Sequence, residues 1–474
     1  MLLKRFYDDK LAQASYLIGC EHAGVALVVD PNRAVSEYMA AAQDEHLRIA
    51  YVSETHIHAD FVSGAHDLAE ATGAKLYLSD MGAPDWKYAS AGKWAAELLT
   101  DGSTFMVGEV RIDVMHTPGH TPEHLTFIVT DTASANAPMG AFTGDFIFVG
   151  DVGRPDLLER AAGVAGSKES AARDLFRSLQ RFKELPDYLQ IWPGHGAGSA
   201  CGKALGAMPQ TTLGYEKLFN WGLAGSDEES FVTHVLEGQL DPPAYFAIMK
   251  AINRDGPPPR AVVAPSTMSV HDLADRLREG ATVVDTRPGN DFAARHANQT
   301  ISIPWTRSFL TWAGSVMPYD RDIYLIVADG ENVSAIVDDL SLIGIDRVAG
   351  AYTLRSFADL DAEGIETSSI AQISVETLAQ RGTDDGLVVL DVRGSDEWDD
   401  GHIPGALHIP VGSLQTRISE LPSGREVAVH CQGGERSAIA ASILQNKGFE
   451  VLNVVGGFRE WETSGGRVES DDVR

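Results

Sequence analysis

Cysteine is nearly absent from this chain. Among 474 residues there are three, Cys20, Cys201 and Cys431, too few and too widely spaced for a disulfide framework or a CxxC metal site. Free thiols of this kind suit a reducing compartment, so a cytoplasmic location is expected. Positive charge is also short: 38 Lys and Arg face 67 Asp and Glu, for a formal net charge of -29. That balance argues against a basic phosphate-binding face, and so against nucleic acid as a main partner. Long hydrophobic runs are missing as well. None approaches the roughly 18 residues of a membrane-spanning helix, and MLLKRFYDDK has no apolar stretch behind its basic residues, so neither a membrane span nor a signal peptide is expected.

What remains is globular protein in several pieces. At 44% hydrophobic and 22% charged residues the composition supports packed cores, and the length suggests about two to four of them. Residues 1 to 225 alternate short β-rich runs, VALVV (25–29), LRIAYV (47–52) and LTFIVT (125–130), with helical patterns such as VSGAHDLAEATG (62–73). The stretch from 226 to 262 changes character and carries GPPPR (256–260), a chain-stiffening run that reads as a linker or boundary. Beyond it lies an internal repeat. VVDTRPGNDFAARHANQTISIPW (283–305) aligns with VLDVRGSDEWDDGHIPGALHIPV (389–411), and YLIVADGENVSAIV (324–337) parallels VAVHCQGGERSAIA (427–440). Each unit reads as strand, loop and helix in turn, a small α/β domain with a parallel sheet. Domains are expected at 1–255, 256–370 and 371–474.

The N-terminal third concentrates metal-competent side chains in loops that follow apolar runs. THIHADF (55–61) supplies His56, His58 and Asp60; HTPGHTPEH (116–124) supplies His120; FTGDFIF (142–148) supplies Asp145; WPGHG (192–196) supplies His195. Four strand-end loops, each offering such a group, three of them beside glycine, are an arrangement suited to one metal centre. The set resembles the metallo-β-lactamase superfamily, whose pattern is HxHxDH followed by His, Asp and His. The resemblance covers residues 1 to about 225 and implies an αββα sandwich.

One departure narrows the reading. Phe61 stands where dinuclear members carry a histidine, so a second metal lacks a nitrogen ligand. Two imidazoles and one carboxylate, with other positions open, are the donor set of non-haem Fe(II) oxygenases. Within the superfamily the persulfide dioxygenases look like this. GDVGRPDL (150–157), GSACGKALGAMPQTTLGYEKLFNW (198–221) and DPPAYFAIMKAIN (241–253) also match them. The resemblance implies one Fe(II) per chain on His56, His120 and Asp145, with zinc as a misloaded substitute. His58, Asp60 and His195 would then orient the ligands and bound water. Arg154 is a candidate for a substrate carboxylate, with an ion pair to a neighbouring acid as the alternative. Cys201, six residues after His195, is either a sulfur relay at the iron mouth or a small packing residue; Cys20 reads as core.

CQGGERS (431–437) is the clearest nucleophile loop. Its glycines let backbone N–H groups turn toward the Cys431 sulfur, the following helix adds positive potential, and Arg436 adds a charge. Cysteine phosphatases space cysteine and arginine one residue further apart. The shorter cradle, with LDVR (390–393) and GHIPGALHIP (401–410), resembles the rhodanese sulfurtransferases, which implies Cys431 as the persulfide carrier and Arg436 as the group that helps bind an anionic donor or acceptor. The first copy has no cysteine: ADGENVS (328–334) offers Ala328 or Val327 in its place, and Val333 or Ser334 in place of the arginine. It is expected to be an inactive rhodanese-like domain.

Together these features predict a persulfide dioxygenase fused to a sulfurtransferase in sulfide detoxification. Its small partners would be a thiol persulfide such as glutathione persulfide, O2, sulfite and thiosulfate, and a homo-oligomer, dimer or tetramer, is expected. The alternatives are a zinc thioesterase of glyoxalase II type with rhodanese sensor modules, and a non-enzymatic sulfur carrier or scaffold.

Overall fold

The computed structural model describes residues 1–160, 166–203, 205–225, 227–239, 241–260, 264–382 and 386–470. It separates into two compact units, Met1–Ala261 with Ser341–Gly344, and Val262–Leu340 with Ile345–Arg474.

The first unit is built on two six-stranded sheets. One runs in chain order from Leu2–Asp8 through Gln13–Cys20, Val25–Val29, Arg48–Ser53 and Lys75–Ser79 to Glu97–Leu99. The other is ordered Thr211–Thr212, Gln190–Pro193, Gly140–Gly144, Leu125–Asp131, Val110–His116, Thr104–Val107. Alternate side chains of both sheets meet in one core: Tyr16, Ile18, Leu27 and Val29 from the first pack with Ile112, Phe127, Phe142 and Trp192 from the second. The opposite faces are covered by helices. Leu17, Ala26 and Val28 pack under helices Val35–Asp44 and Ala65–Thr72, while Ala141 and Ile191 pack under Lys168–Phe182 and Glu228–Leu236. The result is a four-layer αββα sandwich. It explains why Gln13–Cys20 and Gly140–Gly144 are buried at every position, since strands covered on both faces have no solvent side.

Ahead of the GPPPR run the chain forms the helices Glu228–Leu236 and Phe246–Asp255. Phe231, Val232 and Val235 join the outer core of the sandwich, which is why this stretch keeps apolar residues at helical spacing. The tail 471–474 of the third expected domain lies outside the described residues.

The repeat of the second unit survives in full detail. One five-stranded sheet is ordered Ser266–Thr267, Val348–Leu354, Ile323–Ala328, Thr282–Asp285, Thr300–Ser302; the other is ordered Ala371–Ile373, Val451–Val454, Glu426–His430, Leu387–Asp391, Leu407–His408. Every pairing within both is parallel. Each copy buries an Asp–Arg pair two residues apart, Asp285 with Arg287 and Asp391 with Arg393, at 2.6 Å. Each also stacks a histidine on the aromatic ring four residues earlier, His296 on Phe292 and His402 on Trp398. The ladders settle the alignment between the copies. Asp285 pairs with Ile326 as Asp391 pairs with His430, so Val327 occupies the position of Cys431.

The helix Glu435–Asn446, which carries Arg436, is strapped to the first copy along its length. Ser302 N donates to Ser442 Oγ (3.0 Å), Asn446 Nδ2 donates to Thr300 O (2.8 Å), and Gln445 Oε1 meets His296 Nε2 (2.9 Å). No helix among the described residues is long and apolar enough to cross a membrane.

Candidate metal centre and cysteine loop

The first site forms where loops from both sheets of the sandwich converge. His56 follows strand Arg48–Ser53, Asp145 follows Gly140–Gly144, His195 follows Gln190–Pro193, and His120 sits in the loop before Leu125–Asp131. All are buried. Asp145 Oδ2 lies 3.8 Å from His56 Nε2 and 3.4 Å from His120 Nε2; Asp145 Oδ1 lies 3.4 Å from His195 Nε2. Close approach requires glycine in two places. A Cβ on Gly144, whose φ is +47°, would collide with Thr55 Oγ1, and one on Gly194 would fall 2.8 Å from Asp145 Oδ1.

Hydrogen bonds fix the tautomers. Thr55 Oγ1 donates to Asp30 Oδ2 (2.9 Å), so it accepts from His56 Nδ1 (2.9 Å). His120 Nδ1 donates to Arg154 O (3.1 Å), and His195 Nδ1 donates to Ala12 O (3.0 Å). All three rings therefore turn a bare Nε2 lone pair toward the carboxylates. Burial, with the neighbouring imidazoles, holds His56 well below its ordinary pKa, and burial lowers His120 too, so both stay neutral. Both oxygens of Asp60 and of Asp145 are buried without a hydrogen-bond donor. Lone pairs facing buried carboxylates repel unless a cation lies between them, so this donor set fits a metal ion.

Two trios of donor atoms stand out: His56, His120 and Asp145, and beside them Asp60, His195 and Cys201. The first is the ligand set that the family resemblance implied. In the second, Cys201 is only 2% exposed, and burial pushes its thiol pKa well up, with Asp145 and Asp60 adding to the effect. His58 belongs to neither trio, although its ring lies 4.2 Å from that of His56. Burial opposes its charge, but Asp30 (3.1 Å), Glu54 and Asp60 prevail and raise its pKa to about 9. Phe61 packs its ring on His58, 4.4 Å between centroids, and leaves the second trio without a further nitrogen.

Arg154 takes the ion-pair alternative. It is 1% exposed, gripped by Asp156 through Nε (2.8 Å) and Nη2 (2.7 Å), and donates from Nη1 to Ala200 O. Its contribution to the metal site is its carbonyl, which holds His120. Sequence reasoning missed Asp30, Thr55 and Asn253. Asn253 donates to His58 O (2.8 Å) and Phe61 O (2.7 Å) and accepts from Ser63 N, clamping the HxHxD loop. The only signal for it was its place at the end of DPPAYFAIMKAIN.

The second site lies at the carboxyl end of strand Glu426–His430. Cys431 is 1% exposed, and Gly434 N donates to its Sγ at 3.0 Å, with Ser437 Oγ 3.7 Å away. Gly434 has φ +113° and caps the helix Glu435–Asn446, so the helix N-terminus points at the sulfur. Arg436 is bound by both oxygens of Glu397, 2.7 Å for Nη2–Oε1. The guanidinium is therefore neutralised by a carboxylate that an anionic substrate would have to displace or join. In the first copy, Glu331 Oε2 accepts from Ala328 N (2.9 Å) and Thr286 Oγ1 (3.1 Å). That loop is closed on its own carboxylate.

His430, directly before the nucleophile, is fully buried, and burial drives its pKa down to about 4 although Asp391 Oδ2 stands 3.7 Å away. The unfolded residue titrates near 6.5. Between pH 6.5 and 4 the unfolded chain thus binds the extra proton, and stability falls as pH falls, by about 3 kcal/mol across the window. Denaturant titrations from pH 7 to 4 on wild type and His430→Gln check this: the variant should show the shallower acid slope, and equal slopes would dismiss the assignment.

Comparison with known proteins finds a family for each of the two regions that carry these residues. Residues 8–195 match the metallo-beta-lactamase superfamily, and residues 374–464 match the rhodanese-like domain. A crystal structure of a metallo-beta-lactamase from Staphylococcus aureus is 40% identical, covers 74% of this chain and 99% of its own, and superposes with a TM-score of 0.66. The mitochondrial persulfide dioxygenase of Bos taurus is 26% identical over 41% of this chain and 68% of its own. A Bacillus subtilis protein named as a sulfur carrier is 43% identical over 20% of this chain and 52% of its own. The chain spans about half the length of curated relatives such as this one. The chain belongs to the metallo-beta-lactamase superfamily, and it carries a rhodanese-like domain at residues 374–464.

Proposed function

We propose that the sandwich is an iron-dependent persulfide dioxygenase and that Cys431 is a sulfurtransferase nucleophile. The observation that carries the first half is the trio His56, His120 and Asp145, with both imidazoles fixed in the metal-binding tautomer. An Fe(II) ion held there would supply adjacent open positions for a substrate sulfur and O2. The overall reaction takes RSSH, O2 and water to RSH, sulfite and protons. In this reading Thr55 and Arg154 O orient the ligand rings, and Phe61 with the sandwich core keeps bulk water out. At the second site Gly434 N–H and the helix terminus steady the Cys431 thiolate, which takes the outer sulfur of thiosulfate or of a thiol persulfide, releasing sulfite or thiolate, and passes it on to a thiol or to sulfite.

The test is oxygen uptake by iron-loaded protein across a panel of thiol persulfides, with sulfite and thiosulfate measured. The expected result is O2 consumption matched by sulfite at one iron per chain. A second reading is favoured by one observation, the Asp60–His195–Cys201 trio, in which a thiol stands in for the absent histidine. It makes the sandwich a two-metal zinc thioesterase. Two zinc ions per chain, with thioester hydrolysis and no oxygen uptake, would select it.

A further inference from the structure

The second unit holds a cavity of about 550 Å3 beside the cysteine loop. This is the size of a small-molecule site. Gly433, Glu435 and Asn453 line it from the catalytic copy, and Trp305 and Glu331 line it from the copy that lacks a cysteine. Among the described residues its lining contains two carboxylates and no lysine, arginine or histidine.

Each carboxylate is held by one oxygen. Glu331 Oε2 takes Ala328 N and Thr286 Oγ1; Glu435 Oε1 takes Thr306 Oγ1 at 2.8 Å and Ser308 Oγ. Neither has a cationic partner among the described residues. Asn453 is 7% exposed, and its Oδ1 is buried without a donor. Fixed negative charge, an orphaned buried acceptor and no positive side chain favour a ligand with an ammonium group. The cavity wall is also the nucleophile's own loop, since Gly434 both lines it and donates to Cys431 Sγ.

We propose that this cavity binds a low-molecular-weight thiol, as acceptor or as its persulfide donor, through an ammonium group held by Glu331, Glu435 and Asn453 Oδ1. The copy without a cysteine thus serves as half of the co-substrate site. The step it serves is an S–S exchange. The Cys431 thiolate attacks the outer sulfur of R–S–SH, a new S–S bond forms to Cys431, the S–S bond between the inner and outer sulfurs of the persulfide breaks, and RS⁻ leaves while the proton stays on the transferred sulfur. The reverse step loads a free thiol. This inference rests on the sulfurtransferase reading of Cys431.

The test uses the full chain and two non-reacting probes, 2-(methylthio)ethylamine and its neutral counterpart 2-(methylthio)ethanol, followed by calorimetry. The ammonium probe should bind about tenfold more tightly, and Glu331→Gln or Glu435→Gln should remove most of that preference. In thiosulfate-driven transfer, the ratio of kcat/KM for cysteamine over 2-mercaptoethanol should fall in both variants by about five- to tenfold. Equal affinity for the two probes, or an unchanged ratio in both variants, overturns the proposal. Thiosulfate-to-cyanide transfer by wild type separates the layers. If it is absent, the sulfurtransferase reading fails; if it is present without charge preference, only the cavity assignment fails.

Discussion

Replacing His120 by alanine is expected to strip the first unit of its metal and its oxygen chemistry while the cysteine loop keeps working. The variant deletes one of two imidazoles in the trio and leaves Asp145 Oδ2 with His56 alone, 3.8 Å away. It also frees Arg154 O, the acceptor that set the His120 ring. Metal content, measured by elemental analysis, should drop from near one iron per chain to a small fraction. Persulfide-dependent oxygen uptake should fall on the order of 10³-fold, which corresponds to about 4 kcal/mol of transition-state stabilisation. Thiosulfate sulfurtransfer should persist, because Cys431 and its loop belong to the other compact unit. Retained turnover in a metal-free variant would sink the dioxygenase reading and leave the sandwich site structural.

The features that sequence disclosed are local ones. VALVV reads as a strand from five residues, and it is one, Val25–Val29. The motifs around His56, His120, Asp145 and His195 stand directly after strands because strand ends are where an α/β chain turns, and the turn residues are visible in place. The repeat was legible down to Asp285 and Asp391, since each pairs with an arginine two residues on.

The features that stayed hidden are long-range. Asp30 reaches Thr55 and His58 from an earlier strand, Asn253 reaches Phe61 across 192 residues, and Glu397 meets Arg436 across 39. No periodicity encodes such partners. The same limit produced the open reading of Arg154. GRPD contains both the arginine and its partner Asp156, but only burial decides whether the guanidinium faces a substrate or its neighbour. Cys201 followed the same course. Its loop position left a relay and a packing residue both open, and only the folded chain brings its sulfur beside Asp60 and His195 in a group that could hold a metal ion.

Replacing Cys431 by serine is expected to abolish sulfurtransfer and spare oxygen uptake. A serine hydroxyl fits the space, but it does not ionise at neutral pH and forms no persulfide, so geometry is conserved while chemistry is lost. After incubation with thiosulfate, intact-protein mass spectrometry of wild type should show the gain of one sulfur atom, removable by cyanide; the serine variant should show none. Thiosulfate-to-cyanide turnover should fall on the order of 10³-fold or more, about 4 kcal/mol in barrier. Its iron content and oxygen uptake with a preformed persulfide should match wild type. If oxygen uptake vanished too, the two sites would share one nucleophile and the division of labour would be wrong. If a sulfur atom still added to the serine variant, the carrier would have to be Cys20 or Cys201, the only other cysteines in the chain. Both are buried, and burial raises the Cys201 thiol well above its ordinary pKa. Of the three cysteines, Cys431 alone has a helix N-terminus pointed at its sulfur together with a backbone N–H donor from a glycine loop, which is why the whole loss is expected from this one atom.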